Sequence, residues 1–551
     1  MNSFVFKKTS TYADTLQAIG LADLLNELCG DVPEISDQGT GFQITIKNSR
    51  AEEWRAPLPG YPYIWDSKKE RKPPAGNCLD YRAEVRKRDA ARETSPTGKA
   101  RREIKAKLRE QGVELPVTAK PELGLATILA SMRKGWEGDR QLYRWLMEDR
   151  PRALRWTKHK LGLDASAIRN PKWSNTQFLN PITGKGVHSP KTVARAANAI
   201  NKALSDPFED WLKLRAAFIA MLAYREGDNF KLFVLEPAQA KPTAIAEIAT
   251  ELRRLNLWGG VRLDIDAVLR CTGELIRHSD VMANGPLLLK SRRPRDVISG
   301  LRQAYFRSLG TAAALMNDAL FPLPDWFVIN TRDDAARMLD IIDEFIGPRD
   351  KPGGGCLSSL QERNSDDHCT LRYFRDWLTS GHLKDLLSFH SAFAAHVISK
   401  RVRREWVRPF STVNLTFLLS KRYSMREIVS NTGFLSIARA IRNATIYSVG
   451  DNAPSQLDTR FGLAQEWKQK LRAGKAEFLG AVAEFVQQYN WDVINRFKRQ
   501  YHVIQTQDLD ELGRLLESEY GVEAVGLLLL AYGYAQAPKG EPRLHVQGGN
   551  E

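Results

Sequence analysis

Thr11-Tyr12-Ala13-Asp14-Thr15-Leu16-Gln17-Ala18-Ile19-Gly20-Leu21-Ala22-Asp23-Leu24-Leu25-Asn26-Glu27-Leu28-Cys29-Gly30 is followed at a short distance by Phe42-Gln43-Ile44-Thr45-Ile46-Lys47. The first stretch reads as an amphipathic helix. Thr11 and Asp14 have capping-box spacing, Leu21, Leu24, Leu25 and Leu28 mark one face, and Gly30 is a natural stop. The second alternates apolar with polar residues, the period of a half-buried strand. The chain therefore opens α then β. At its other end, residues 424–537 contain a single proline, Pro454. Helical periodicity there predicts helices over 425–446, 461–473, 475–497, 507–519 and 522–535, the pattern of a compact bundle. The expected fold class is α+β: a mixed, irregular N-terminal body, then an all-α C-terminal helical bundle.

Between these ends the pattern is broken. Residues 54–65 interleave Trp54, Tyr61, Tyr63 and Trp65 with Pro57, Pro59 and Pro62, an extended, turn-rich segment. Its aromatics either plug the loop onto the core or form a base-stacking platform. Helical periodicity returns near 122–148 and over 191–225. Residues 229–235 read as a strand, 245–315 as short helices and turns, 348–369 as a Gly-rich polar loop, and 371–400 as helix. The expected divisions are 1–230, 231–415, 416–540 and a disordered tail over 541–551.

At roughly 150 residues per domain, 551 residues suggest two to four domains. With 43% hydrophobic and 9% aromatic residues the chain can build cores, which excludes a disordered protein. Lys and Arg number 81 against 65 Asp and Glu, leaving +16, a surplus that favours a polyanionic partner, nucleic acid first. No stretch is long and apolar enough to span a bilayer. The five cysteines show neither a CxxC pair nor zinc-finger spacing, and the N-terminus lacks a signal-peptide core, so a reducing cytoplasm is expected.

The surplus is clustered. Residues 68–109 carry 15 Lys and Arg against 6 Asp and Glu, including Arg86, Lys87, Arg88, Arg101, Arg102 and Lys105. A second run holds Lys290, Arg292, Arg293 and Arg295. A third, 400–426, holds Lys400, Arg401, Arg403, Arg404, Arg408, Lys421, Arg422 and Arg426 against Glu405 alone. Such clusters hold phosphates without reading sequence. The segment 171–191 is different. Gly184 and Gly186 flank Lys185 and permit close backbone approach to a ligand. Asn175, Gln177 and Asn180 offer paired donors and acceptors of the type that read base edges, and Lys191 opens a helix. Leu179 stands where a Walker A loop needs glycine.

Signals for catalysis are sparse. There is no HExxH and no GxSxG. Asp366-Asp367-His368-Cys369 is the one dense ligand-like run, with His382, His390 or His396 as the nearest partners for a metal. A solvated polar loop is the alternative. No cofactor or resident metal is expected.

Three segments carry a family resemblance. The opening Thr11–Leu25 and the loop Phe178-Leu179-Asn180-Pro181-Ile182-Thr183-Gly184-Lys185-Gly186 resemble large subunits of type I CRISPR effector (Cascade) complexes. So do Ile437–Thr445, Phe461–Gln465, Phe485–Asn490 and Leu528–Tyr534 at the far end. The resemblance implies a non-catalytic subunit at the foot of a ribonucleoprotein, near the 5′ handle of the guide RNA. It would recognise a short protospacer-adjacent motif (PAM) in duplex DNA, promote opening and R-loop formation, and leave cutting to a recruited helicase-nuclease. Its C-terminal bundle would resemble the complex's separate small subunit. The implied partners are guide RNA, target double-stranded DNA, the displaced single strand, the Cascade backbone and foot subunits, and the helicase-nuclease, with no membrane.

On that reading Asn175, Gln177, Asn180, Gly184, Lys185, Gly186 and Lys191 contact the PAM or the RNA handle. Arg86, Lys87, Arg88, Arg101, Arg102, Lys105, Arg292, Arg293, Arg401, Arg403 and Arg404 hold nucleic-acid backbone. Arg439, Arg442, Lys468, Arg472, Arg496, Lys498 and Arg499 contact the displaced strand or heteroduplex on the bundle. Met425, the only methionine after Met338, falls where the bundle begins, so an internal start there, or at a non-AUG codon such as that of Val413, would make a free small subunit. The competing readings are a metal-dependent nuclease using Asp366, Asp367 and His368, and a general nucleic-acid-binding scaffold.

Overall fold

The computed structural model describes residues 2–8, 11–47, 50–66, 68, 70–73, 76–83, 136–166, 168–171, 206–226, 229–255, 260–282, 293–308, 313–349, 354–449, 455–498 and 500–537. They form two compact units, Met1–Leu263 with Arg270–Leu323, and Asp264–Leu269 with Pro324–Glu551.

The first unit is mixed α+β. In chain order it holds β1 (Asn2–Lys7), α1 (Tyr12–Cys29), β2 (Glu34–Asp37), β3 (Gly41–Ile46), β4 (Tyr63–Trp65), β5 (Cys78–Asp80), α2 (Trp136–Glu148), α3 (Arg150–Lys160), α4 (Pro207–Ala220), β6 (Met221–Glu226), β7 (Asn229–Pro237), β8 (Gln239–Ala240), α5 (Pro242–Arg253), α6 (Val261–Arg277, apart from its residues Asp264–Leu269, which belong to the second unit), α7 (Pro294–Val297), β9 (Ile298–Ser308) and β10 (Ala313–Pro322). One antiparallel sheet has the order β1-β3-β2-β8, another β10-β9-β7-β6, and β4 and β5 pair in parallel. The expected strands at 42–46 and 229–235 are β3 and β7.

The Asp14 carboxylate accepts the Thr11 amide at 3.2 Å, and Gly30, at φ 65°, ends α1. The helix is enclosed rather than amphipathic. Its apolar residues are buried around most of its girth, and two of its acids, Asp23 and Glu27, pair with a cation. Arg215 on α4, buried, reaches Asp23 at 2.6 Å, Glu27 at 2.7 Å and the Leu58 carbonyl at 2.7 Å. At Gly20 the two helices touch so closely that a Cβ would overlap the Leu212 carbonyl oxygen. Trp54, Tyr61 and Tyr63 are buried, and the Trp211 indole donates to the Pro59 carbonyl at 2.7 Å, so these residues plug the 54–65 segment onto the core.

The structure corrects the reading of 245–315. Instead of short helices and turns it contains the 17-residue α6 and the 11-residue β9. β9 is central, paired with both β7 and β10. Its Arg302 meets Glu236 of β7 at 2.9 Å, and Lys8 meets the same carboxylate at 3.0 Å, which compensates burial of all three charges. The expected boundary at 230/231 falls inside β7, whose pairing holds the sheet together.

The second unit is helical throughout its later part: α8 (Arg332–Ile346), α9 (Ser365–Ser380), α10 (Leu383–Val402), α11 (Thr412–Arg422), α12 (Arg426–Ser430), α13 (Thr432–Ala444), α14 (Leu463–Ala473), α15 (Lys475–Trp491) with a π-helical turn Asp492–Arg496, α16 (Thr506–Glu517) and α17 (Gly521–Gly533). The predicted bundle helices are present, the first of them split at Asn431 into α12 and α13. The boundary expected at 415/416 lies within α11 and does not separate a bundle. α17, buried from Val525 to Gly533, is covered by α13, α14 and α16, and also by α10 from outside the expected domain. Asp366–Cys369 is the first turn of α9 rather than loop, because the Asn364 side chain caps the Asp366 and Asp367 amides at 2.9 and 3.1 Å. The tail 541–551 lies outside the described residues.

Candidate nucleic-acid interface

The described cations can be sorted by whether they face water. α10 ends in Lys400 and Arg401, which suits the negative end of its dipole. Arg401 then turns inward. Its guanidinium donates to the Ile446 carbonyl, and burial pulls its pKa down. Lys400 is hydrogen-bonded to Glu405, which holds that carboxylate below its usual range. The only acid of the cluster is therefore already engaged. Arg403, Arg404 and Arg408 are exposed, with Arg404 in the left-handed region at φ 56°. Among them Trp406 is 63% exposed and Val402 51%, while Val407 and Phe410 turn into the core. A solvent-facing indole between guanidinium groups offers a base a stacking surface and its phosphates a charge. Trp406 was not among the expected contacts. The signal was present in Arg403-Arg404-Glu405-Trp406-Val407-Arg408, an aromatic set inside a basic run.

The bundle carries a second group of exposed apolar side chains. Phe461 is 64% exposed, Trp491 58% and Ile494 42%. Their segments are tied together by Arg460 to Asp492 at 3.6 Å and by Arg496 to Asp458. π-Helical turns of this kind are frequent at functional sites. Arg472 and Lys498 are exposed, Lys498 at φ 44°, and Lys468 and Arg439 are half-buried. Arg496 is exposed and paired with both Asp458 and Asp492. Arg442 does not belong to this surface. It is 4% exposed, and its guanidinium donates to the Ala535 carbonyl at 2.7 Å and the Tyr532 carbonyl at 2.9 Å, closing the C-terminus of α17. Its expected role as a strand contact is corrected: the end of a buried helix needs its donors. Arg293 is exposed and bonded to Asp296 at 3.0 Å.

Asn175, Gln177, Asn180, Gly184, Lys185, Gly186, Lys191, Arg86, Lys87, Arg88, Arg101, Arg102, Lys105, Arg292 and Arg499 lie outside the described residues. Of the metal-ligating candidates, Asp366 is exposed, while the Asp367 carboxylate accepts the Gln361 amide at 2.9 Å and reaches His396 Nδ1 at 2.8 Å. His390 is packed against Phe389 and Phe410, and burial pushes its pKa down to about 3. Among the described residues no three His, Cys, Asp or Glu side chains converge as a metal site, and no helix is long and apolar enough to cross a membrane. No family model matches this chain, and no curated protein matches it.

Proposed function

We propose that this chain is the large subunit of a type I CRISPR RNA-guided DNA surveillance complex in the cytoplasm. On this reading it binds the PAM in duplex DNA, promotes opening and R-loop formation, and helps recruit a helicase-nuclease without itself cutting. Its partners are guide RNA, target duplex, displaced strand and the backbone and foot subunits. The observation that carries the reading is the order of three resembling segments along the chain: opening helix, Asn-Pro-x-x-Gly-Lys-Gly loop, C-terminal helices. An all-helical C-terminal region and the exposed Arg403, Arg404 and Arg408 around the exposed Trp406 support it. The test is to sequence the RNA that co-purifies with the tagged chain from its native host. Spacers joined to a constant repeat-derived handle are the expected result. Random cellular RNA, or none, would overturn the proposal.

A free small subunit from an internal start also belongs to this proposal. Met425 itself is buried and precedes α12. A product starting there lacks α10 and the Thr416–Tyr532 hydrogen bond of 2.8 Å, so the apolar α17 would need a new cover. A blot against the C-terminus should show a second short product that co-purifies with the complex. Full-length chain alone, with the start codons dispensable, would rule it out.

A further inference from the structure

One turn of α10 before the basic run that begins at Lys400, three side chains from successive elements of the second unit meet. Ser359 ends the 3-10 turn Cys356–Ser359, Asp367 sits in the first turn of α9, and His396 lies on α10. Ser359 Oγ is 3.0 Å from His396 Nε2, and His396 Nδ1 is 2.8 Å from Asp367 Oδ1. The second Asp367 oxygen accepts the Gln361 amide at 2.9 Å. We propose that Ser359, His396 and Asp367 form a nucleophile–base–carboxylate triad that accepts an acyl or phosphonyl group from small activated esters. It is an activity separate from nucleic-acid binding, and its test stands or falls apart from that reading.

The roles follow from the geometry. A carboxylate at Nδ1 keeps the proton on that nitrogen and leaves the Nε2 lone pair 3.0 Å from Ser359 Oγ, a closer acceptor for the hydroxyl proton than the Cys356 carbonyl at 3.2 Å. Burial, the larger influence, lowers the His396 pKa, while Asp367 opposes it; Lys400 and Glu405 also act on this imidazole. The ring is therefore neutral at neutral pH. The Gln361 amide fixes the carboxylate, making Asp367 the positioning residue. Ser359 is half-buried rather than sealed. In the reaction Oγ forms a bond to the electrophilic carbon or phosphorus, His396 Nε2 takes the hydroxyl proton, and the leaving group departs with the bonding pair. For an ester that proton passes from His396 to the departing alkoxide, and water later cleaves the acyl-serine. The nearest amides are engaged, Leu360 with the Leu357 carbonyl at 3.1 Å and Gln361 with Asp367. Missing oxyanion donors cost roughly 10²–10³ in rate, so slow, near-stoichiometric acylation is expected rather than rapid turnover.

The experiment treats the full-length chain with a fluorophosphonate probe, from which fluoride leaves, and locates the adduct by peptide mass spectrometry. The expected adduct is on Ser359. It is absent in Ser359→Ala, retained in Ser358→Ala, and formed about a hundredfold more slowly in His396→Gln and Asp367→Asn. Melting curves establish that each variant is folded. The labelling rate of the unaltered chain should rise with pH and level off above an apparent pKa below 6.5, that of an ordinary histidine. A purely structural hydrogen-bond staple would give none of this. No Ser359 adduct on folded protein at pH 8, or an equal rate in His396→Gln, would overturn the proposal.

Discussion

Replacing Arg442 by Met separates a structural tie from a nucleic-acid contact. Methionine keeps much of the buried stem but removes the donors to Ala535 and Tyr532 at the end of α17. Hydrogen bonds from a charged donor contribute about 1.5–3 kcal/mol each. The two are not additive, since they share one guanidinium, and the Tyr532 carbonyl retains the Ala535 amide at 3.3 Å. A net loss of about 2–3 kcal/mol is expected. At roughly 1–3 kcal/mol per molar urea, that moves the midpoint of the second unit by about 1 M. Hydrogen exchange read on peptides of α13 and α17 during urea titration isolates this unit from the other. In parallel, single-stranded DNA binding is measured against salt. A lost phosphate contact would lower the slope of log K against log salt by about 0.7. The expected result is reduced protection with an unchanged slope. Unchanged protection with a reduced slope would refute the structural role and return Arg442 to the binding surface.

Two further substitutions test the packing. Gly20→Ala forces a methyl against the Leu212 backbone, which no rotamer can relieve, and should cost about 2–3 kcal/mol, whereas Gly513→Ala within α16, where a Cβ meets open space, should stabilise by up to about 1 kcal/mol. Equal denaturation midpoints for the two would contradict the close approach of α1 and α4. His390, held neutral with its pKa near 3, binds a proton more readily when unfolded, so its contribution to stability is complete above about pH 6.5 and is lost as pH falls towards 3. His390→Phe should flatten the dependence of the urea midpoint on pH across that window; an unchanged slope would mean that the imidazole is not buried neutral.

Local signals made much of the secondary structure legible. The start of α1, the alternation in β3, the apolar run of β7 and the near proline-free helical pattern after residue 424 each depend on neighbours a few positions away. β9 was obscured because Arg302, Gln303 and Arg307 interrupt its apolar pattern. Arg302 is tolerated there through Glu236, a partner 66 residues distant that no local window contains. The expected bundle boundary falls inside α11 for a related reason. α17 is apolar on more than one side, and which helices cover it is a property of the assembled unit.

The site shows the same division. Sequence by itself determined the net positive charge, its clustering, the α+β class and the resemblance carried by the segment order. Counting charges along the chain grouped Arg401 with Arg403 and Arg404, and Arg442 with Arg439, as equivalent cations. Tertiary structure decided that Arg403 and Arg404 face solvent beside Trp406, while Arg401 and Arg442 turn inward to carbonyls 45 and 93 residues away. It likewise brought Ser359, Asp367 and His396 within hydrogen-bonding distance. A sequence specifies how many donors and acceptors it holds, but burial makes an unpaired one costly, so the packing of distant elements settles which find partners inside and which remain for a ligand.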